Sequence, residues 1–315
     1  MSADGKLDPL RLGIVGVGKI ARDQHLPAIA ASPDFTLAAA ASRHATLDDH
    51  PSFEDIETML AVGPAIDVVS ICTPPGGRHT IARAAIAAGK HVMIEKPPGA
   101  TVAEVSALRH FADAAGVTLF ASWHSREAGG VDAARAWLSE RTITRVAINW
   151  REDIRVWHPG QEWILGSGGF GVFDPGINAL SIATAILPQD IIVESGAIAV
   201  PENRTSPISA RIAMRTTCDA PVTFDLDFLQ AGPQSWDIEV ETSDAMLLLI
   251  EGGKRLFLDD TEQLLGDEAG EYPRLYSRFA ELIRAKQSDV DLRPLQLVAD
   301  TFLVSQQQRA ASFHF

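Results

Sequence analysis

Cysteine is scarce in this chain: Cys72 and Cys218 are the only two in 315 residues. A disulfide framework is therefore not expected, and a reducing, cytoplasmic setting fits. Basic residues are outnumbered, with 27 Lys and Arg against 41 Asp and Glu, a formal net charge of −14. Nucleic acids and anionic membranes reward a basic surface, so neither is expected as a partner. An acidic exterior also repels anionic substrates unless the site brings its own cations, which favours a neutral small molecule. Residues 1–10 hold no long apolar stretch, so no signal peptide is expected. The run Met246–Ile250 falls far short of the roughly 20 apolar residues that a membrane-spanning helix needs. The nine histidines show no H-x-x-E-H or His–Cys spacing, so no metal site is expected. A G-x-S-x-G elbow, a Walker loop, internal repeats, low-complexity tracts and a flexible linker are likewise missing.

What is present is an ordinary folded composition, 46% hydrophobic and 22% charged, in a chain long enough for two domains. Short apolar runs at 12–17, 35–41, 66–72, 91–95 and 117–121 alternate with helical spacing at 20–31, 53–62, 77–88 and 102–115. Thr101 with Glu104 forms a capping-box pattern at the head of the last helix. Continuous apolar strands between helices predict an α/β Rossmann domain, a doubly wound parallel sheet, over residues 1–123. The remainder, 124–315, reads as an α+β domain with a large, mainly antiparallel sheet. A helix at 131–140 is followed by strand patterns at 143–150, 191–200, 209–216, 221–228, 236–241, 246–251 and 255–258. Two helices, 272–286 and 294–310, close the chain.

The segment Gly16-Val17-Gly18-Lys19-Ile20-Ala21 is a G-x-G-x-x-A pattern placed after an apolar strand and at the opening of a helix. Glycine permits the tight turn and lets the backbone approach a pyrophosphate, which the helix N-terminus then receives. Gly16, Gly18, Lys19 and Ile20 are thus candidate cofactor contacts. A site for NAD usually places Asp or Glu at the end of the second strand, for the ribose 2′-hydroxyl. Here that strand runs into Ser42-Arg43-His44. Ser42 can donate to a 2′-phosphate, and Arg43 can pair with it or stack on adenine. NADP is expected to be accepted and is favoured over NAD as the preferred cofactor, NAD also remains possible, and their ratio is left open.

Taken together, Gly13-Ile14-Val15-Gly16-Val17-Gly18-Lys19-Ile20-Ala21, Ile71-Cys72-Thr73-Pro74-Pro75 with His79, and Glu95-Lys96-Pro97-Pro98 resemble the Gfo/Idh/MocA oxidoreductase family. The resemblance implies dinucleotide contacts from Cys72, Thr73, Pro74, His79, Glu95 and Lys96, with Lys96 also catalytic. Pro97 and Pro98 fix the backbone there, and Lys96 lies past the carboxyl end of a strand, where such sheets bind ligands. The second half is similar to the aldose 1-dehydrogenases of the family, which oxidise the anomeric carbon of galacto-configured sugars (L-arabinose, D-galactose, D-fucose) to the lactone. On that likeness His124, Glu152, Trp157, Asn178 and Trp236 are substrate-binding candidates, and Asp174 is the preferred proton acceptor, with Lys96 as the alternative.

Family members often carry His four residues after this Asp. This chain has Asn178, which orients a hydroxyl but cannot titrate. Among the six tryptophans, Trp137 reads as core, and Trp157 and Trp236 as platforms for the apolar face of a pyranose. A homodimer through the second-domain sheet is also implied. Two other activities stay open: oxidation or reduction of a different polyol or ketose, and a non-catalytic dinucleotide-sensing regulator.

Overall fold

A computed structural model describes residues 8–266 and 270–315. The chain divides into two compact units, Met1–His124 with Ala269–Leu292, and Ser125–Glu268 with Arg293–Phe315. The first stretch runs β1 (Leu10–Val15), α1 (Leu26–Ala31), β2 (Phe35–Ala41), β3 (Ser52–Phe53), α2 (Ile56–Val62), β4 (Val68–Ile71), α3 (Arg78–Ala87), β5 (His91–Glu95), α4 (Val102–Ala115) and β6 (Leu119–Ser122). The second runs α5 (Gly129–Leu138), β7 (Ile143–Arg151), α6 (Ile154–Trp157), α7 (Phe173–Ile186), β8 (Ile191–Pro201), β9 (Ser209–Thr216), β10 (Pro221–Asp227), β11 (Ser235–Thr242), β12 (Met246–Ile250), β13 (Arg255–Leu258) and β14 (Thr261–Glu262). The chain closes with α8 (Glu271–Ala285), α9 (Arg293–Val304) and β15 (Ser305–Ala310).

In the first unit the strands form one parallel sheet in the order β3-β2-β1-β4-β5-β6, the arrangement of a dinucleotide-binding fold. Its strands are apolar on both faces because both are covered. Leu12, Ile14 and Met93 pack with Ala28, Ile29, Leu275 and Phe279 from α1 and α8 on one side. Val15, Ile71 and Ile94 pack with Met59, Ala82, Ile86 and Leu108 from α2, α3 and α4 on the other. The expected capping box at α4 forms in part. Thr101 accepts the Glu104 N–H at 3.2 Å, while the Glu104 carboxylate takes the N–H of Ala100 rather than that of Thr101.

The sequence pattern put everything after residue 123 in the second domain. The structure differs, because α8 packs in the first unit. The six-residue α1 leaves part of the β1–β2 face open, and the apolar stripe of α8 covers it.

The second unit holds a nine-stranded sheet in the order β14-β13-β12-β11-β7-β10-β9-β8-β15, antiparallel except for β7 with β10 and β8 with β15. Alternate residues such as Ile148, Phe224, Ile212 and Leu249 are buried. The single helix expected over 294–310 ends at Val304, and Ser305–Ala310 pairs along β8 from Gly196 to Pro201. Covering an open strand edge outweighs the good helix propensity of Gln and Arg here. Trp137 is half-buried under the Arg141 guanidinium, 3.8 Å from its ring centre, rather than in the core.

Two glycines seat α7 on its surroundings. At Gly176 an added Cβ would lie 2.8 Å from Leu226, so glycine lets the helix approach β10 closely. Gly171 has φ +56°, and a Cβ there would lie 2.2 Å from the Pro207 carbonyl oxygen, which accepts the Val172 N–H at 2.7 Å. Gly171→Ala is expected to lower the unfolding free energy by about 1–3 kcal/mol. A urea midpoint equal to that of the wild type would contradict this account of the α7 entry.

Candidate active site

The carboxyl end of the parallel sheet carries the candidate dinucleotide contacts. After β1 the chain turns through Gly16 at φ +92°, and a Cβ there would meet the Thr73 nitrogen at 2.9 Å and the Cys72 carbonyl carbon at 3.0 Å. Conformation and space both require glycine. A Cβ at Gly18 would meet nothing, so the backbone is bare towards open space. Gly16, Gly18, Ser42, Arg43, Cys72, Thr73 and Pro74 all line one cleft of about 760 Å³. The Thr73 hydroxyl is buried and has no hydrogen-bond partner among the described residues. The bare backbone at Gly16 and Gly18, the Ser42 hydroxyl, the Arg43 guanidinium and the Thr73 hydroxyl form a set that fits a dinucleotide.

Other expected contacts lie off this lining. Lys19 forms an exposed ion pair with Asp23, Ile20 is 37% exposed, and His79 sits in the first turn of α3. The expected helix over 20–31 begins as a π-helical turn, Ala21–His25, with the Leu26 N–H reaching the Ala21 carbonyl. Pro27 has no N–H to continue the ladder, and the wider turn precedes it.

That turn delivers His25 to Glu95, whose carboxylate points into the core rather than into the cleft. His25 Nε2 lies 3.1 Å from Glu95 Oε1, and the Tyr272 hydroxyl donates to the same oxygen at 2.9 Å. Glu95 Oε2 accepts the backbone N–H of Lys96 at 2.8 Å. His25 Nδ1 is 2.8 Å from the Tyr276 hydroxyl, which is 3.1 Å from Ser70 Oγ. Burial alone would raise Glu95, but the hydrogen bond and charge of His25 outweigh it and hold the carboxyl far below its usual range. Burial would lower His25, yet Cys72, Tyr276 and Glu95 raise it well above the ordinary imidazole value.

Arg78, 5% exposed, donates from Nε to the Thr73 carbonyl at 2.7 Å and from Nη1 to the carbonyls of Glu95 and Pro97. It ties together the segments after β4 and β5, and Lys96 lies in the second of these. His124 donates to Glu271 at 2.6 Å and stacks on Tyr272. The sequence pattern did not single out His25, Arg78, Tyr272 or Tyr276.

In the second unit Asp174 and Asn178 lie four residues apart in the first turns of α7, so they share one side of the helix. Asp174 is 5% exposed and Asn178 half-buried. Glu152, expected to meet substrate, is 2% exposed. Its two oxygens accept from Trp236 Nε1 and His158 Nε2, each at 2.8 Å. Its carboxylate is thereby committed to orienting the Trp236 indole, against which Trp157 packs edge-on at 4.6 Å. Trp157 remains 41% exposed. His158 was not anticipated. Among the described residues no group of three or more His, Cys, Asp or Glu is arranged to hold a metal ion.

Residues 10–122 match the GFO_IDH_MocA family, described as "Oxidoreductase family, NAD-binding Rossmann fold". The chain is 43% identical over 320 aligned residues, 98% of its own length and all of the relative's, to galactose 1-dehydrogenase of Pseudomonas fluorescens. The chain belongs to the Gfo/Idh/MocA oxidoreductase family. A solved D-galactose-1-dehydrogenase from Rhizobium etli superposes with a TM-score of 0.93 at 50% identity, over 98% of this chain and 99% of that one. A 3-ketoreductase from Actinomadura kijaniata, solved with NADP and TDP-benzene, shares the fold at a TM-score of 0.84 and 18% identity, over 96% and 99% of the two chains. The family likeness read from the three N-terminal motifs is therefore borne out, as are the Rossmann domain and the large mixed sheet that follows. This family member is an oxidoreductase with an NAD(P)-binding Rossmann fold.

Removing the Glu95 charge tests the buried network. Glu95→Gln is expected to cost about 3 kcal/mol at neutral pH, because it leaves His25 without its counter-charge. The folded pKa of Glu95 is depressed. Its charge-dependent contribution is therefore present above the ordinary glutamate range and is lost as pH falls through the depressed folded value. The stability gap from wild type, measured by urea unfolding between pH 7 and pH 3, should narrow on the acid side. A gap independent of pH would show that the carboxylate is not ionised in the fold.

Proposed function

We propose that this protein is an NAD(P)-dependent aldose 1-dehydrogenase that oxidises the anomeric hydroxyl of a galacto-configured sugar to the lactone. D-Galactose is the first candidate, with L-arabinose and D-fucose sharing its configuration. The observation that carries this reading is similarity along the whole chain, at 43% and 50% identity, to two galactose 1-dehydrogenases. The net charge of −14 suits a neutral sugar.

Each residue then takes a defined part. The nicotinamide dinucleotide, when bound, supplies the hydride acceptor. Gly16 and Gly18 hold the backbone open to its pyrophosphate, and Ser42 and Arg43 in place of an acidic residue support acceptance of NADP. Asp174 accepts the proton of the anomeric hydroxyl. Lys96, steadied by the Glu95 contact to its backbone N–H, donates a hydrogen bond to the sugar. Asn178 has both a donor and an acceptor for a neighbouring hydroxyl. The indoles of Trp157 and Trp236 present flat apolar surface to the C–H face of the pyranose.

Initial rates with D-galactose, L-arabinose, D-fucose, D-xylose, D-glucose and myo-inositol, each with NADP and NAD, test the activity. Turnover confined to the first three is expected. Asp174→Ala should lower kcat by about 10²–10⁴ while dinucleotide binding survives. Equal turnover on D-glucose would remove the galacto assignment, and retained kcat in Asp174→Ala would remove the base.

We further propose a cytoplasmic homodimer. Both cysteines are free, and among the described residues no helix is long and apolar enough to cross a membrane. The sheet face opposite the buried side chains carries half-buried Met246, Leu248, Ile250 and Phe257 beside the ion pairs of Arg145 with Glu239 and Glu241. A second copy covering that face would satisfy its apolar edge. Gel filtration is expected at twice the chain mass of 33.9 kDa, and elution as a monomer at working concentration would exclude the dimer.

A further inference from the structure

We propose that Glu54 and Glu57 set the dinucleotide preference of the cleft by opposing a 2′-phosphate, so that NAD and NADP are used side by side. The inference rests on the reading of this cleft as the NAD(P) site with Ser42 and Arg43 at the adenosine ribose.

Topology brings the two groups together. β2 and β3 pair in parallel, Ala40 with Ser52 and Ala41 with Phe53, and the Ser42 N–H donates to the Phe53 carbonyl at 2.8 Å. The segments that leave these strands, Ser42-Arg43-His44 and Glu54-Asp55, therefore emerge alongside each other at the carboxyl end of the sheet. Arg43, Glu54, Asp55 and Glu57 all line the same cleft.

The carboxylates have different duties. Asp55 caps α2 by accepting the Thr58 N–H at 2.8 Å. Its pKa is held below the usual carboxylate value, first by the bonds from Thr58 and in smaller part by the charge of Arg43, which places the guanidinium within electrostatic range. With Asp55 in the cap, the start of α2 offers no open cationic end to a phosphate. Glu54 and Glu57 are exposed and take no part in an ion pair or a side-chain hydrogen bond among the described residues. Among the described residues neither pairs with a cationic side chain, and both line the cleft.

The charge balance follows. One guanidinium attracts a 2′-phosphate, while three carboxylates line the same cleft. A phosphate monoester brings about −1.5 to −2 charge at neutral pH, so each carboxylate subtracts from the gain that Arg43 provides. A 2′-hydroxyl carries no charge and can donate to a carboxylate, so NAD escapes the penalty. Two exposed charges acting on a doubly charged group across several ångström of wet cleft amount to about a five- to tenfold change in affinity at low ionic strength. The effect should fade near 1 M salt, where the screening length is roughly 3 Å.

The test is equilibrium binding by titration calorimetry. NADP, NAD and the fragments 2′,5′-ADP and 5′-AMP are titrated into wild type, Glu54→Gln/Glu57→Gln and Arg43→Ala, each at low and high salt. The double variant is expected to bind NADP and 2′,5′-ADP about five- to tenfold more tightly at low salt, with NAD and 5′-AMP unchanged. Equal Kd ratios in the double variant and wild type, while Arg43→Ala weakens NADP selectively, would overturn the role of the glutamates and leave the cleft reading standing. Arg43→Ala with no selective effect on NADP would overturn the cleft reading itself, and the inference with it.

Discussion

Glu95 is a carboxylate at the end of a central strand, 3% exposed and ionised, and the first unit is arranged around keeping it so. Burying an unpaired charge costs several kcal/mol, so a fold that does this must supply donors from close range. Here the donors come from three places in the sequence. The π-helical turn after the glycines brings His25, the adjoining peptide brings the Lys96 N–H, and α8 brings Tyr272 with Tyr276 behind His25. The two tyrosines are four residues apart on one helix, so a single face of α8 serves both. Arg78 completes the arrangement from α3 by holding the Glu95 and Pro97 carbonyls. The peptide that carries Lys96 is thus fixed from both sides by groups that never need to touch a ligand.

This constraint gives a physical reason for the path of the chain. The segment through α8 returns to the first unit before α9 and β15 complete the second, and the returning helix supplies both apolar cover for β1 and β2 and hydroxyls for the Glu95 network. A dinucleotide-binding sheet with the short α1 alone would leave that face exposed and the carboxylate one donor poorer.

Local pattern was enough to find most elements, and the limits of that reading are physical. Strands such as Phe35–Ala41, His91–Glu95 and Ser209–Thr216, and the helix Val102–Ala115, were legible because apolar run length, alternation and the Thr101 cap act within a few residues. The position of α8 was not legible, since an amphipathic stripe announces that it will be buried but not against which sheet. Ser305–Ala310 was read as helix for the same reason: only the open edge of β8, more than a hundred residues earlier, makes it a strand. At the site, glycines and the Ser42-Arg43 pair were legible because their demands are local. The orientation of Glu95 and the engagement of Glu152 by Trp236 and His158 depend on partners far along the chain, and no spacing rule encodes them.

The two carboxylates Glu95 and Glu152 show a common device. Each was a candidate contact for a small molecule, and each is buried and hydrogen-bonded to donors of its own unit. Glu152 fixes the plane of Trp236, as Glu95 fixes the Lys96 peptide. Such buried acids sharpen a site by removing freedom from the groups that do face a ligand. They also keep negative charge off the ligand-facing surface of a protein that is already strongly acidic. Glu54 and Glu57 are the opposite case: exposed, uncommitted and lining the cleft, they leave their charge where a ligand must meet it. Glu95 and Glu152 thus act on their neighbours, whereas Glu54 and Glu57 leave their charge open to the cleft.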